Sequence, residues 1–339
     1  MAATLKEIAQ RVGKSVTTVS RALAGYSDVS EATRAQVRQV AQELGYEPNI
    51  TARRLQKRRT ETLAIVLPTY SPRFSDPFFS EFLAGVGNAA AAEGYDLLVS
   101  TRSPGDEEEK AYRDLIRSRR VDAFIVVRTR LHDARIEILK AANFPFAAFG
   151  RIEGDNDFLF VDEDSELGLR LVVEHLVKLG HRRLAFLAAP PDLMFARYRL
   201  KGFTETLQAR GLPVDPELIL TGDLSQRHGH QLAGILLDRP DPPTAIVACN
   251  DLMALGAMSA VQNRGLKVGY DVSITGFDDI PPAEHAHPSL TTVHQPVYKI
   301  GKMVCQMVID VINGREIPNP QITLAPSLVI RQSSGPVQI

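Results

Sequence analysis

The sequence predicts a small all-α head followed by a larger α/β body made of two lobes. Apolar residues in the first 48 positions recur at the spacing of helices. From residue 63 onward, short apolar runs alternate with amphipathic stretches, which is the pattern of doubly wound sheets. Residues 1–60 carry eleven Lys and Arg against five Asp and Glu, a charge of +6, whereas the other 279 residues carry 28 against 35, a charge of −7. A basic head on an acidic body indicates an anionic partner for the head alone.

The length and composition predict a cytoplasmic protein of two or three domains. The chain has 339 residues, of which 44% are hydrophobic and 23% are charged. No run approaches the roughly 20 apolar residues that span a bilayer, and the N-terminus is amphipathic rather than signal-like. The two cysteines, Cys249 and Cys305, stand in apolar surroundings, which is typical of buried free thiols in a reducing cytosol.

The head is predicted to contain three helices. Their apolar positions are Leu5, Ile8, Ala9 and Val12 in the first, Val19, Ala22 and Leu23 in the second, and Val37, Val40, Ala41 and Leu44 in the third. Gly13 permits a tight turn between the first two helices, and Ser15 and Ser30 are predicted N-caps of the second and third. Two short helices joined by a glycine turn and crossed by a third form a helix-turn-helix.

The second helix presents an outer face whose side chains fit the major groove of DNA. This face consists of Val16, Thr17, Ser20 and Arg21. Small hydroxyl side chains and a guanidinium can reach and hydrogen-bond base edges. The alternative is a generic three-helix bundle that does not contact DNA, and the positive charge of the head argues against it.

The segment between head and body, residues 49–62, is strongly basic. Its basic residues are Arg53, Arg54, Lys57, Arg58 and Arg59. Asn49 is a predicted N-cap for a helix over residues 50–55, which is shorter than the roughly 12–15 residues that give marginal helicity in water. We therefore expect this helix to fold only against a polyanion. The alternative is a solvated basic linker.

The body is predicted to alternate strands with helices. Strands are predicted near residues 63–67, 97–100, 123–127, 147–149, 184–187, 219–220, 245–248, 272–276 and 328–331, and helices near 76–93, 107–120, 166–179, 197–209, 228–237 and 252–263. Ligands bind at the carboxyl ends of such strands, so polar residues just past them are candidates for a binding site. These residues are Arg151, Asp162, Asn250, Asp251, Asp278 and Asp279. Asp251 is predicted to cap the apolar helix that follows it.

The head resembles that of the LacI/GalR family of bacterial transcriptional repressors. The match runs through TVSR at residues 18–21, LGYEPN at 44–49 and ARRL at 52–55. The resemblance implies base reading by Val16, Thr17 and Arg21, and a hinge helix over 49–55 that forms on operator DNA with Leu55 in the minor groove. The full set of implied DNA contacts is Thr4, Ser15, Val16, Thr17, Ser20, Arg21, Asn49, Ala52, Arg53 and Leu55.

The body is similar to the effector domain of the same family, which has the shape of a periplasmic sugar-binding protein. The matching pieces include DPFFSEFLAGV at 76–86, PTAIVACNDLMALGA at 243–257 and VSITGFDD at 272–279. The resemblance implies that Arg199, Asn250 and Asp278 line a cleft between the lobes and hydrogen-bond an effector, expected to be a sugar. Phe79 and Arg151 are added by their position alone. Leu224 stands where several sugar-responsive members have an aromatic residue.

The predicted organisation has three parts. Residues 1–48 form a helix-turn-helix DNA-binding domain, residues 49–62 a hinge helix and linker, and residues 63–339 an effector-binding and dimerisation domain of periplasmic-binding-protein-like α/β fold. One lobe is predicted over about 63–160 plus 290–321, and the other over about 161–289 plus 322–339. The C-terminal SSGPVQI has no leucine heptads, so we expect a homodimer rather than a tetramer.

The sequence therefore indicates a repressor whose operator affinity is controlled by an effector acting as inducer or as corepressor. The alternative is a cytoplasmic sugar-binding protein or sugar-modifying enzyme with an incidental basic N-terminus. No catalytic residue, metal site or cofactor is predicted, since the pairs His228/His230 and His285/His287 lack further ligands. A glycine pattern at residues 85–90 lies inside a predicted helix, where glycine favours close helix packing rather than nucleotide binding.

The basic head and hinge segment predict salt-sensitive binding to a near-palindromic DNA site. Two heads of a symmetric dimer meet two half-sites, and each neutralised phosphate releases counterions. With about six phosphates neutralised, the affinity is expected to fall roughly a thousandfold between 50 and 200 mM salt. Fluorescence anisotropy over a salt series measures this slope. A salt-insensitive complex, or equally tight binding by a monomer, would contradict the prediction.

Overall fold

The computed structural model describes residues 3–46, 59–69 and 76–338. The chain divides into a unit at Met1–Thr60 and a unit at Glu61–Ile339, and each is considered separately. The predictions made for Asn49, Ala52, Arg53 and Leu55 lie outside the described residues.

The first unit contains the three predicted helices, which are α1 (Leu5–Val12), α2 (Val16–Leu23) and α3 (Glu31–Glu43). Side-chain oxygens of Thr4, Ser15 and Ser30 accept hydrogen bonds from backbone N–H groups in the first turn of each helix, which confirms the two predicted serine caps. Gly13 ends α1 in the left-handed conformation, with φ of 68°, and so makes the predicted tight turn. A small apolar core closes between the helices.

The described residues of the second unit form two six-stranded sheets. The strands of the first are β1 (Thr62–Pro68), β2 (Asp96–Arg102), β3 (Ala123–Val126), β4 (Phe146–Phe149), β5 (Leu159–Glu163) and β11 (Gln321–Leu324). The strands of the second are β6 (Leu184–Ala188), β7 (Ile219–Thr221), β8 (Ala245–Ala248), β9 (Ser273–Asp278), β10 (Thr291–His294) and β12 (Ser327–Val329). The spatial orders are β11-β5-β4-β3-β1-β2 and β12-β10-β9-β8-β6-β7. Among these described strands, only the β10–β12 pair is antiparallel.

Helices cover the two sheets. Those of the second unit are α4 (Pro77–Ala92), α5 (Asp106–Ser118), α6 (Ala134–Ala141), α7 (Ser165–Lys178), α8 (Met194–Ala209), α9 (Gln226–Leu237), α10 (Asp251–Gln262), α11 (Pro281–His285) and α12 (Val297–Ile312). The two faces of β1 contribute to two apolar cores, because side chains alternate along a strand. Leu63, Ile65 and Leu67 pack against α4 and α12. Ala64 and Val66 pack against α5 and α6. We call the first sheet with α4, α5, α6 and α12 lobe 1, and the second sheet with α7–α11 lobe 2. Cys249 and Cys305 are buried free thiols, as predicted.

The structure corrects the predicted lobe boundaries. β5 pairs in parallel with β4 and β11 as far as Glu163, so the chain leaves lobe 1 at 163–165 rather than at 160/161. β10 pairs with β9, so the return to lobe 1 follows His294 rather than residue 289. β11 belongs to the first sheet, so the last crossover lies between Leu324 and Ser327 rather than at 321/322. These three connections are called the crossovers.

The predicted helix-packing role of glycine is found at Gly85 on α4. A Cβ atom built there would lie 2.2 Å from the carbonyl oxygen of Tyr298 on α12, so the two helix backbones touch. Gly301 on α12 makes the reciprocal approach, 2.5 Å from the carbonyl oxygen of Phe82. Gly87, two residues along α4, has no neighbouring atom within 4 Å of its built Cβ. One glycine of the pattern is therefore required by packing and the other is not.

Alanine substitutions at these two glycines are expected to have opposite effects on stability. Gly85→Ala forces α4 and α12 apart and should destabilise the protein by about 1–3 kcal/mol or more. Gly87→Ala removes backbone entropy from the unfolded chain without a clash and should stabilise by up to about 1 kcal/mol. Thermal unfolding of both variants beside the wild type measures the contrast. Equal melting temperatures for the two would show that α4 and α12 are not in backbone contact.

Candidate functional site

A cavity lies where the carboxyl ends of strands from both sheets meet. Its volume is about 680 Å³ when the open solvent at its mouth is included. Among the described residues, its lining comprises Asp76, Phe78, Phe79, Val127, Arg128, Thr129, Phe149, Gly150, Arg151, Asp162, Glu163, Ser165, Met194, Phe195, Arg199, Leu224, Asn250, Asp278 and Gln295. All five residues predicted for effector binding (Phe79, Arg151, Arg199, Asn250 and Asp278) belong to this lining. Their role in binding stays a prediction.

Arg199 on α8 is the most enclosed cation of the cavity, with 5% of its surface exposed. Its Nη1 donates to the carbonyl oxygen of Cys249, just past β8, and its Nη2 lies 3.5 Å from Oδ1 of Asp278. The guanidinium carbon lies 3.5 Å from the ring centre of Phe277, on β9. Cation–π attraction and the two polar partners offset the cost of burying the charge. The arginine is therefore held at one fixed position in the cavity wall.

Asn250 is the N-cap of α10, and its side chain is already engaged. Its Oδ1 accepts from the backbone N–H of Met253 at 3.0 Å, and its Nδ2 donates to the carbonyl oxygen of Leu224 at 3.1 Å. The amide thus joins the start of α10 to the loop that precedes α9. Leu224 adds an apolar side chain to the lining, and its backbone is left-handed with φ of 68°.

Asp278, the last residue of β9, has an unusual backbone and a buried carboxylate. Its φ is 119°, in the region that favours glycine. Oδ1 accepts from Nε2 of Gln295 at 2.6 Å and also faces Arg199. Burial raises the pKa of Asp278 to about 7, a rise that Arg199 opposes and that Asp76 increases. The surrounding contacts therefore hold the carboxyl of a residue with a strained backbone at the site.

Two ion pairs of lobe 1 complete the charged lining. Arg128 donates to Asp76 at 2.9 Å, and Arg151 donates to Asp162 at 2.7 Å. Arg128 also lies over the ring of Phe79, 4.7 Å from its centre. Arg128 was not among the predicted site residues, although it directly follows the strand predicted at 123–127, where polar residues of such sheets bind ligands. Asp76 is also the N-cap of α4, where it accepts from the N–H of Phe78.

Aromatic rings form the apolar part of the lining. Phe78 stacks on Phe149 with ring centres 5.9 Å apart and meets Phe79 edge-on at 5.3 Å. Phe195 lies beside Arg199, with the guanidinium carbon 4.8 Å from the ring centre. Such rings present flat apolar faces to a ligand while the charged pairs supply directed hydrogen bonds.

Two of the polar residues predicted past strand ends are absent from the cavity lining. The prediction that Asp251 caps a helix is wrong, because Asn250 holds the cap. Asp251 is instead fully buried, where it accepts from the N–H of Ile280 and the hydroxyl of Thr292. Asp279 accepts from Arg331 at 2.7 Å and lies 3.0 Å from His294. The carboxylate of Asp279 therefore lies against Arg331 and His294 and outside the cavity lining.

The described head residues separate into capping and outward-facing groups. Thr4 and Ser15 cap α1 and α2, and the Thr4 backbone N–H also donates to Glu7 at 2.7 Å, which completes a capping box. Val16, with 41% exposure, and Thr17 lie on the surface of α2, whereas Ser20 is half-buried. The outer face predicted for α2 is therefore accessible at its N-terminal end.

Arg21, predicted to read bases, has two neighbours in the head. Its guanidinium forms an ion pair with Asp28 and lies over the ring of Tyr26, 5.0 Å from the ring centre. Both partners are exposed, so the pair adds little stability. Its effect is to orient the guanidinium along the surface of α2.

The described residues hold neither a metal-binding cluster nor a membrane-spanning helix. No group of three or more His, Cys, Asp and Glu in this part of the chain could hold a metal ion. None of its helices is long and apolar enough to cross a membrane.

Stability of the protein is expected to fall as pH rises from about 4 to about 7, in part because of Asp278. Its folded pKa of about 7 exceeds the ordinary value of 3.8, so the folded state binds the proton more tightly and loses that advantage as pH rises. Asp278→Asn mimics the protonated acid, so its stability relative to wild type should increase by up to a few kcal/mol across this window.

Urea unfolding at pH 4.5, 6 and 7.5 measures this difference. Asp157→Asn, in an exposed loop, is the matched control and should show a constant difference from wild type. A constant difference for Asp278→Asn as well would contradict the raised pKa.

Comparisons with known proteins match both units. Residues 4–49 match the bacterial regulatory proteins of the lacI family, and residues 173–334 match a periplasmic binding protein-like domain. The HTH-type transcriptional regulator AglR of Rhizobium meliloti (strain 1021) is 36% identical, over 99% of this chain and 95% of its own. The HTH-type transcriptional repressor CytR of Escherichia coli (strain K12) is 34% identical, over 98% of this chain and 96% of its own.

Solved structures agree with this assignment. The complex of the transcriptional regulator CelR with cellobiose has a TM-score of 0.76 and 32% identity, covering 98% of this chain and 99% of its own. The lac repressor dimer bound to operator and the anti-inducer ONPF has a TM-score of 0.86 and 30% identity, covering 99% of this chain and 100% of its own. These relatives support a transcriptional regulator over a sugar-binding protein or sugar-modifying enzyme. This chain belongs to the LacI family of bacterial transcriptional regulators.

Proposed function

We propose that this protein is a sequence-specific transcriptional repressor whose affinity for operator DNA is controlled by a sugar bound in the cavity. The observation that carries the proposal is that the residues lining the cavity come from both lobes and from two of the crossovers. The crossover residues are Glu163 and Gln295. A ligand there contacts both lobes at once, so its binding energy depends on the angle between them.

The chemistry of the lining suits a sugar. At the carboxyl ends of the strands, Arg199, Asn250 and Asp278 provide hydrogen-bond donors and acceptors at fixed positions. Phe78 and Phe149 provide apolar ring faces. Vicinal hydroxyls need this combination of directed hydrogen bonds and flat apolar contact. Cellobiose bound to CelR supports the same class of ligand for this chain.

The DNA-binding state is proposed to be a homodimer. Each head reads a half-site with the exposed residues of α2, and the basic segment 49–62 contributes the hinge helices at the centre of the operator. The lac repressor dimer bound to its operator supports this assembly. Because DNA is the partner, the protein acts in the cytoplasm. We propose no catalysed reaction, since the matched relatives are transcriptional regulators.

Coupling between the cavity and the operator requires an effector that binds the free and DNA-bound states with different affinities. A ligand that changes the angle between lobes moves the two hinge segments relative to each other, and hinge helices that fold only on DNA then melt. Typical couplings of this kind amount to about 1–3 kcal/mol.

Two substitutions should separate the effect on DNA binding from the effect on the response to effector. Leu55→Ala is expected to weaken specific DNA binding, because it removes the minor-groove wedge, and to leave effector affinity of the free protein unchanged. Asp278→Ala is expected to keep operator binding and lose the response to effector, because it removes an acceptor from the cavity wall.

Operator binding by anisotropy and sugar binding by calorimetry, measured on both variants, test the proposal. Retained operator binding also shows that Asp278→Ala is folded. A normal response of Asp278→Ala at wild-type sugar concentrations would place the effector elsewhere.

A further inference from the structure

Glu163 is a buried carboxyl in the cavity lining that the proposed hydrogen-bonding set does not use. It ends β5 and is 2% exposed. Neither of its carboxyl oxygens has a hydrogen-bond partner among the described residues. A buried polar group without a partner is destabilising and uncommon, so its persistence in a cavity indicates that a ligand supplies the partner.

The neighbouring charges show what kind of ligand fits. Each described guanidinium of the lining already faces a carboxylate: Arg128 faces Asp76, Arg151 faces Asp162, and Arg199 faces Asp278. Glu163 is thus a carboxyl in excess of the arginines. A phosphate or carboxylate on the ligand would compete with those three acids for the arginines. An uncharged ligand avoids this cost.

We propose that Glu163 selects the ligand of the cavity by hydrogen-bonding a hydroxyl of an uncharged carbohydrate. The three described arginines of the lining, each already facing a carboxylate, leave no countercharge for a carbohydrate that carries a phosphate or a carboxylate. This inference rests on the proposed function, because it takes the cavity to be the effector site.

The protonation of Glu163 agrees with this assignment. Burial raises its pKa well above the usual range; Arg199 opposes the rise, and Asp278, Asp162 and Asp164 add to it. A neutral carboxyl donates through its O–H and accepts through its carbonyl oxygen, which is the pattern that a sugar hydroxyl complements. A site built to bond a hydroxyl discriminates strongly, because its own groups stay unpaired when the hydroxyl is missing.

The test uses matched pairs of probes on the full-length protein. Ribose, glucose and trehalose, each beside its phosphate ester (ribose 5-phosphate, glucose 6-phosphate, trehalose 6-phosphate), and cellobiose are screened by thermal shift. At least one uncharged sugar should raise the melting temperature, and the phosphate esters should not. A phosphate ester that stabilises the wild type more than its uncharged partner overturns the inference.

Variants then test Glu163 directly against the sugar found. Glu163→Ala should raise the dissociation constant of that sugar by about tenfold or more, whereas Glu163→Gln, which still donates and accepts, should stay within about threefold. Glu205→Gln, an exposed glutamate on α8, is the matched control and should bind as wild type does. The melting temperature of sugar-free Glu163→Ala should equal or exceed that of wild type, because an unpaired buried group is removed.

The outcomes distinguish the two proposals. If the wild type responds to an uncharged sugar and Glu163→Ala responds equally, the role of Glu163 is wrong and the proposed function stands. If no sugar or ester in the panel stabilises the wild type, the proposed sugar response fails and the role of Glu163 fails with it.

Discussion

The buried guanidinium of Arg199 is the constraint around which lobe 2 is arranged. A charge with 5% exposure is tolerated only where partners replace water. Those partners come from separate elements: the carbonyl of Cys249 past β8, Asp278 and Phe277 on β9, and the more distant hydroxyl of Ser165 at the start of α7. The contacts of this network offset the backbone strain at Asp278. Without the arginine, the carbonyl of Cys249 would lose its charged donor, and the mostly buried carboxylate of Asp278 would be left with Gln295 as its donor.

Reciprocal glycine contacts give each lobe a rigid helix layer. In lobe 1, Gly85 and Gly301 bring α4 and α12 into backbone contact. In lobe 2, a Cβ at Gly229 would lie 2.3 Å from the carbonyl oxygen of Met253, and one at Gly256 would lie 2.0 Å from that of Gln226. Helices that touch along their backbones cannot slide without a clash, because protein interiors are close-packed. Motion between the lobes is thereby confined to the crossovers.

The sequence predicted the parts of the structure that depend on local chemistry. The serine caps of α2 and α3 and the strands with continuous apolar runs were predicted because one residue type or one period determines them. β5 was missed because its sequence, LFVDE, ends in two carboxylates, which are unusual in a buried strand. Arg151 and Arg199, which are distant in sequence, lie near these carboxylates in the folded protein. α12 was missed as well; it lacks a side-chain N-cap.

The cavity shows the same division between local and long-range information. Arg128 was recoverable from its position directly after β3. Glu163 was not, because the strand that it ends was not predicted and no motif marks it. Asp251 looked like a cap from sequence, but Asn250 one residue earlier holds the cap, and Asp251 bonds Ile280 and Thr292 from distant segments. Long-range partners of this kind leave no periodic trace in the chain.

The placement of cavity residues on the crossovers connects ligand binding to the geometry of the lobes. Glu163 stands where the chain leaves lobe 1, one residue before Asp164 caps α7, and Gln295 stands where the chain returns, two residues before α12 begins. The third crossover, between Leu324 and Ser327, contributes no described residue to the lining. A ligand that bonds Glu163 and the Gln295–Asp278 pair therefore holds two of the three connections at fixed positions. Since the helix layers resist deformation, those ligand contacts stabilise one angle between the lobes over others.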